Sequence, residues 1–213
     1  MAHHAIVFDL DGTLLDTLDD LADSMNAVLA AAGHPTHPVV AYRQFVGDGV
    51  RTLVRRAIPD GVGGLDEGVE AMIAEYGRRW RDKTRPYPGV DVLLDGLTAR
   101  DLPFAILSNK PDAFTRLTTE ALLGRWQFAE VWGVRDTVPP KPDPTGALAM
   151  AAALGVEPGE ILYLGDTNTD MRTAVAAGMD PIGAAWGFRD AAELRANGAR
   201  VVVERPEDVL ALL

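Results

Sequence analysis

The apolar run Ile6-Val7-Phe8 ends in Asp9-Leu10-Asp11-Gly12-Thr13, and this ending restricts what the chain can fold into. The run reads as a buried strand. Side chains alternate along a strand, so Asp9 and Asp11 start on the same face. Gly12 permits a sharp turn and Thr13 sets a hydroxyl beside the carboxylates. Ligands of open α/β sheets bind beyond the carboxyl ends of the strands. Two carboxylates in such a place repel unless a cation or a shared proton offsets them. An Asx-rich turn closing a strand would account for the same residues without any ligand.

The rest of the pattern favours an α/β sheet. The first strand is expected at about residues 4–9. From residue 87 onward, helical and strand-like stretches alternate: helix 89–100, strand 104–108, helix 111–123, a short strand near 129–132, helix 143–154, strand 161–164, helix 168–178 and strand 181–185. A short strand and a helix close the chain. Such alternation predicts a doubly wound parallel sheet, a Rossmann-like core. Residues 16–86 interrupt it and read as helices only: one over Leu18 to Ala32, one or two short ones over 39–58, and one over 65–82. The expected organisation is therefore a core from residues 1–15 and 87–213, with residues 16–86 as a small all-helical insert.

Composition narrows the function classes. The chain has 213 residues, 47% of them hydrophobic, and a formal charge of −11. That charge speaks against a nucleic-acid-binding surface, so any phosphate site must be a local positive island. Cysteine is absent, which removes disulfide and thiol chemistry. Met1-Ala2-His3-His4 leads straight into the first strand, and no apolar run is long enough to span a bilayer. The expectation is a cytoplasmic protein with no membrane partner, acting as a monomer or homodimer. Arginine supplies nearly all the positive charge. The lysines are Lys83, Lys110 and Lys141, and the last two fall in the motifs below.

Three more segments follow the first in order: Leu107-Ser108-Asn109-Lys110, then Lys141 within Pro139-Pro140-Lys141-Pro142-Asp143-Pro144, then Leu164-Gly165-Asp166-Thr167-Asn168-Thr169-Asp170. With Asp9-Leu10-Asp11-Gly12-Thr13, this ordered set resembles the haloacid dehalogenase superfamily across essentially the whole chain. The resemblance implies a helical cap at the insert, Asp9 as nucleophile and Asp11 as general acid and base. It implies metal ligation by the Asp9 carboxylate, the Asp11 backbone carbonyl and the Asp166 carboxylate, with Asp170 acting through water or from behind. The donor set, all oxygen with no Cys or His, points to Mg²⁺. Read alone, Asp170 is equally an acid in the first turn of a helix.

Thr13, Ser108, Asn109 and Lys141 are the expected phosphate contacts, since hydroxyls, amides and a lysine suit phosphoryl oxygens. Taken singly, Ser108 would be a cap before Pro111 and Lys141 an exposed loop residue. In capped members a glycine-containing loop of the cap faces the leaving group, which directs attention to Gly47-Asp48-Gly49 and Arg51. Gly47, Arg51 and Lys110 are therefore the expected specificity residues. Arg51 could hold a carboxylate bidentately, or belong to a solvated cluster with Arg55 and Arg56. His34 and His37 lie in a proline-broken loop and are expected to be solvated. So are Asp19, Asp20 and Asp23, on the polar side of their helix. Gly47-Asp48-Gly49 is not a dinucleotide fingerprint, because no strand leads into it.

The expected function is Mg²⁺-dependent hydrolysis of a small phosphorylated metabolite through an aspartyl-phosphate. Asp11 must hold a proton when attack begins, so its surroundings should favour the neutral acid. Ser108-Asn109-Lys110, Lys141-Pro142-Asp143-Pro144 and Trp186-Gly187-Phe188 add a resemblance to the phosphoglycolate phosphatase group. Phosphatases of sugar phosphates or of pyrophosphate share these features. A sugar phosphomutase, or a catalytically silent binding protein of the same fold, would also carry much of this pattern.

Overall fold

The computed structural model of the protein describes residues 3–213. Met1 and Ala2, part of the lead-in expected before the first strand, lie outside the described residues. The elements in chain order begin with β1 (Ala5–Phe8), β2 (Leu15–Asp16), α1 (Leu18–Ala31), α2 (Val39–Phe45), α3 (Val50–Ala57), α4 (Leu65–Arg79) and β3 (Arg85–Pro86). There follow α5 (Val90–Thr98), β4 (Phe104–Pro111), α6 (Asp112–Leu123), β5 (Glu130–Val134), α7 (Thr145–Leu154) and β6 (Ile161–Gly165). The chain closes with α8 (Asn168–Ala177), β7 (Asp180–Ala184), α9 (Ala191–Ala196), β8 (Val201–Val203) and a 3₁₀ turn at Pro206–Leu212.

Six strands form one sheet in the order β5-β4-β1-β6-β7-β8, and each neighbouring pair is parallel. The fold is the doubly wound α/β architecture the alternation predicts. Strand β1 is central, and its residues face both layers. Ile6 and Phe8 pack with Val90, Leu93, Leu94 and Leu97 of α5. Ala5 and Val7 pack with Ala147 and Met150 of α7 and Ala174 of α8. Burial on both faces explains why the run is continuously apolar rather than alternating. A Phe8→Ala change here is expected to cost about 3–5 kcal/mol. The chain winds outward from β1 through β4 and β5, then returns to the other side through β6. The strand order reverses at β1, and the carboxyl ends of β1, β4 and β6 meet there.

The four helices α1 to α4 form a cap with its own apolar centre, including Met25, Leu29, Tyr42, Leu53, Met72 and Trp80. Helix α4 carries Asp66 and Glu67 in its first turn and Arg78 and Arg79 in its last, the polarity that suits the helix dipole. Both connections to the cap cross together as an antiparallel ribbon not foreseen in the sequence: Leu15 pairs with Pro86 and Asp16 with Arg85.

Three local expectations need correction. Asp20 is buried rather than solvated; its carboxylate accepts from the backbone N–H of Lys83 at 3.0 Å, and from the N–H and hydroxyl of Thr84 at 2.8 and 2.7 Å. His34 and His37 are half-buried. The His37 ring stands edge-on to Phe45 with centroids 5.1 Å apart, and its Nε2 lies 2.8 Å from the Ala57 carbonyl. Strand β4 does not stop at Ser108 but runs on to Pro111, with a register shift between Leu107 and Pro111. A bulge of this kind keeps the backbone extended while it re-aims side chains.

Candidate active site

Asp9 follows directly on β1, and its backbone N–H donates to the Leu164 carbonyl of β6 at 2.9 Å. Its Oδ1 accepts from the Leu10 N–H at 2.7 Å and lies 3.0 Å from Lys141 Nζ. No hydrogen bond among the described residues reaches Oδ2. After Asp9 the chain folds back on itself: Gly12, at φ +88°, donates to the Leu15 carbonyl at 2.8 Å, and Leu14 and Leu15 both donate to the Leu10 carbonyl at 3.0 Å. A Cβ on Gly12 would stand 2.3 Å from an Asp166 carboxylate oxygen. Glycine is thus required there both for its backbone angle and for the approach of Asp166.

Asp166, just past β6, is fully buried and held at both oxygens. The Thr13 hydroxyl donates to Oδ1 at 2.9 Å, and the Phe188 N–H donates to Oδ2 at 2.7 Å. This corrects the expectation for Thr13. Its side chain is fully buried and its single O–H is spent on Asp166, so it orients a carboxylate instead of meeting phosphate. The Trp186-Gly187-Phe188 turn has a comparable task, since a Cβ on Gly187 would stand 2.2 Å from the Asp166 Cβ. Asp170 lies in the first turn of α8, where it completes a capping box with Thr167. Its Oδ2 accepts from the Thr167 hydroxyl at 2.6 Å, and its Oδ1 from Lys141 Nζ at 2.6 Å. It therefore holds Lys141 in place against Asp9.

The bulged end of β4 supplies three further groups. Ser108 lines the cavity between core and cap together with Asp9 and Asp11. The Asn109 carboxamide is used up in the protein: Oδ1 accepts from Lys141 N–H at 2.7 Å, and Nδ2 donates to the Lys141 and Gly47 carbonyls at 3.1 and 3.0 Å. Asn109 thus fixes the Lys141 loop and the cap loop, and its side chain has no donor left for the phosphate contact expected of it. Lys110 Nζ donates to both oxygens of Asp11, at 2.8 and 3.0 Å, and to the Tyr76 hydroxyl of α4 at 2.7 Å. Both oxygens of Asp11 are thus engaged by one ammonium. Tyr76 was not foreseen as a site residue. Its spacing in α4 marks it only as a core-facing aromatic.

From the cap, Gly47 and Gly49 reach the cavity and Arg51 does not. The loop is clasped to the core through Gly47 to Asn109, through the Val46 carbonyl to Arg189 at 3.0 Å, and through Asp48 to the Thr169 hydroxyl at 2.5 Å. Arg51 is exposed and paired with Asp66 of α4. This corrects its assignment as a leaving-group contact. Among the described residues, Lys110 is the one cationic side chain lining the cavity, whose other walls include Leu21, Val50, Leu53, Met72 and Phe114.

Electrostatically the site is unbalanced. One carboxylate oxygen from each of Asp9, Asp166 and Asp170 lies within 4.8 Å of the others, and all three residues are buried. Burial and then the Asp170 charge push Asp9 up to about 7, against the pull of Lys141. Burial, then Asp170 and Asp9, raise Asp166 well above the carboxylate range. Burial opposes the charge on Lys141, but Asp170 and Asp9 outweigh it and keep the ammonium well above the usual lysine range. One ammonium cannot offset the full ionisation of three buried carboxylates. Hard oxygen donors with no nitrogen or sulfur fit a divalent cation such as Mg²⁺.

The sequence and the fold are similar to those of known proteins. The family model for haloacid dehalogenase-like hydrolases matches residues 6–184. Phosphoglycolate phosphatase 1 of Pseudomonas aeruginosa is 34% identical over 96% of this chain and 78% of its own length. A phosphoglycolate phosphatase of Chromobacterium violaceum is 36% identical over 91% of this chain and 90% of its own. The crystal structure of a candidate phosphoglycolate phosphatase from Lactobacillus delbrueckii subsp. bulgaricus superposes with a TM-score of 0.92 at 29% identity, covering 100% of this chain and 98% of that one. Matched by the family model over most of its length, the chain belongs to the haloacid dehalogenase-like hydrolase family.

Proposed function

We propose that the protein is a Mg²⁺-dependent phosphomonoesterase that works through an aspartyl-phosphate on Asp9, with 2-phosphoglycolate as its substrate. The observation that carries this reading is the state of Asp9. Its carboxylate lies at the switch point of the sheet, one oxygen is tied to Lys141 and the other is left without a hydrogen bond, and it opens on a cavity that Asp11 also lines. The relatives named phosphoglycolate phosphatase support the substrate.

The Asp9 and Asp166 carboxylates and the Asp11 main-chain carbonyl would hold the cation, with Asp170 behind them. When bound, Mg²⁺ supplies positive charge to the phosphoryl oxygens and lowers the repulsion among the acids. Asp9 Oδ2 attacks phosphorus while Lys141 holds Oδ1 in position. The bond from phosphorus to the ester oxygen breaks, and Asp11, which carries a proton when attack begins, delivers it to that oxygen, so the leaving group departs as an alcohol. Asp11 then takes a proton from the water that cleaves the acyl-phosphate, which releases inorganic phosphate and restores Asp9. Ser108 faces the phosphoryl group with its hydroxyl. The closed cap excludes bulk water.

The test is phosphate release by purified protein from a panel of monoesters, with Mg²⁺ and with chelator. The highest kcat/KM is expected for 2-phosphoglycolate. Release that persists in chelator after dialysis would remove the metal from the reaction. Preference for a sugar phosphate would leave a phosphatase with a different substrate.

A further inference from the structure

The leaving-group side of the cavity needs a cation if the leaving group is an acid. Of the two expected there, Arg51 is turned away and Lys110 lines the cavity. Lys110 is the cationic side chain of the lining, and it is buried at the point where core and cap meet. Its ammonium bridges Asp11 of the core and the Tyr76 hydroxyl of the cap. Tyr76 accepts this bond, and no acceptor for its own hydroxyl hydrogen is present among the described residues. A buried phenol with an unspent donor, beside an ammonium in a cavity also lined by Leu53, Met72 and Phe114, is a built half-site for an anion.

We propose that Lys110 and Tyr76 together bind the carboxylate of the leaving group, and that Lys110 passes from Asp11 to the substrate as it enters. The inference rests on the phosphatase reading above and adds the residues that read the carboxylate of the substrate. Lys110 Nζ is 2.8 Å from Asp11 Oδ1, and Asp11 must itself touch the ester oxygen. An anion held by Lys110 therefore lies within about 9 Å of that oxygen, three hydrogen-bond lengths end to end. A carboxylate on the carbon next to the ester oxygen is in reach. The transfer also frees Asp11, now held at both oxygens, to turn toward the ester oxygen. Cap and core each contribute one of the two groups, so selectivity requires closure.

The experiment compares kcat/KM for 2-phosphoglycolate with that for ethyl phosphate, which has the same skeleton without the carboxylate. The native protein should prefer 2-phosphoglycolate. Lys110→Met should lower the preference ratio by about 10- to 100-fold, and Tyr76→Phe by about 3- to 10-fold, as for losing a charge-assisted and a neutral hydrogen bond. Tyr76→Phe keeps the ring edge-on to Phe114, at 5.2 Å between centroids, so it reads the ratio even if Lys110→Met fails to fold. If both activities fall together and the ratio holds in the variants, Lys110 only positions Asp11 and the inference is overturned. Calorimetric binding of the same two esters to Asp9→Asn protein reads the preference without turnover. No preference there overturns the inference while leaving the phosphatase intact. No phosphate release from any ester by the native protein overturns the phosphatase reading instead.

Discussion

Asp20 of the cap's first helix accepts both the backbone N–H and the hydroxyl of Thr84, a residue 64 positions further along the chain. The contact closes the base of the cap beside the β2–β3 ribbon, so the two connections between cap and core are fixed to each other. A buried carboxylate is tolerated there because donors from Lys83 and Thr84 satisfy it. Asp20→Ala would leave the Thr84 backbone donor buried and unpaired. It should destabilise the protein by about 2–4 kcal/mol, read as a lowered midpoint of denaturant unfolding. Cap position should also loosen, so KM for the substrate should rise more than kcat falls. An unchanged midpoint would mean that water replaces the carboxylate and that the latch is not structural.

Asp9→Asn should remove turnover, because an amide cannot form the acyl-phosphate. The fold should survive. The change removes one of three mutually repelling buried acids and leaves Lys141 with Asp170. Metal-free Asp9→Asn protein is therefore expected to melt no lower than the native chain. Lost activity with a lowered melting temperature would point to a folding defect, and retained activity would exclude Asp9 as the nucleophile.

Arg51→Ala should leave the kcat/KM for 2-phosphoglycolate within about 2-fold of native and change stability by less than about 1 kcal/mol, the usual range for an exposed ion pair. Lys110→Met should not be silent in this way. Both variants are assayed on the same substrate. A selective 10-fold loss in Arg51→Ala would return the carboxylate to the cap arginine.

What was legible in the sequence and what was not divide along physical lines. Asp9, Asp11 and Asp166 could be placed because a strand end is a local feature: an apolar run stops and acids follow. Lys141 came from its order among the motifs. Arg51 was misplaced by neglect of helical phase. Successive residues of a helix stand about 100° apart, so with Val50 on the cavity wall Arg51 projects to the side, toward Asp66. For Thr13 and Asn109 the residue type suited phosphate, but the same hydroxyl and amide suit a carboxylate and a backbone carbonyl, and only the packed structure decides between them. Tyr76 with Lys110 and Asp20 with Thr84 join residues 34 and 64 positions apart. No periodicity encodes such a pair. A buried tyrosine or aspartate on a helix reads as core or as surface until its partner is seen.

The last prediction links the acid cluster to pH. Asp9 has a folded-state value of about 7 against an ordinary 3.8, and Asp166 is raised as well. For a group raised on folding, the favourable contribution is complete below the unfolded value and is lost as pH rises through the folded one. Without a divalent cation, the protein should therefore lose stability from these acids as pH climbs from about 4 to about 7, because the unfolded chain ionises them freely and the folded chain does not. A bound cation takes the place of the proton and removes the penalty. The gain in melting temperature on adding Mg²⁺ should thus be small at pH 5 and grow toward pH 7.5, and Asp166→Asn should abolish the growth. Because each comparison is made at a single pH with and without Mg²⁺, titration of surface groups cancels. A Mg²⁺ effect that is flat across the range, or one that survives in Asp166→Asn, would place the cation somewhere other than this cluster.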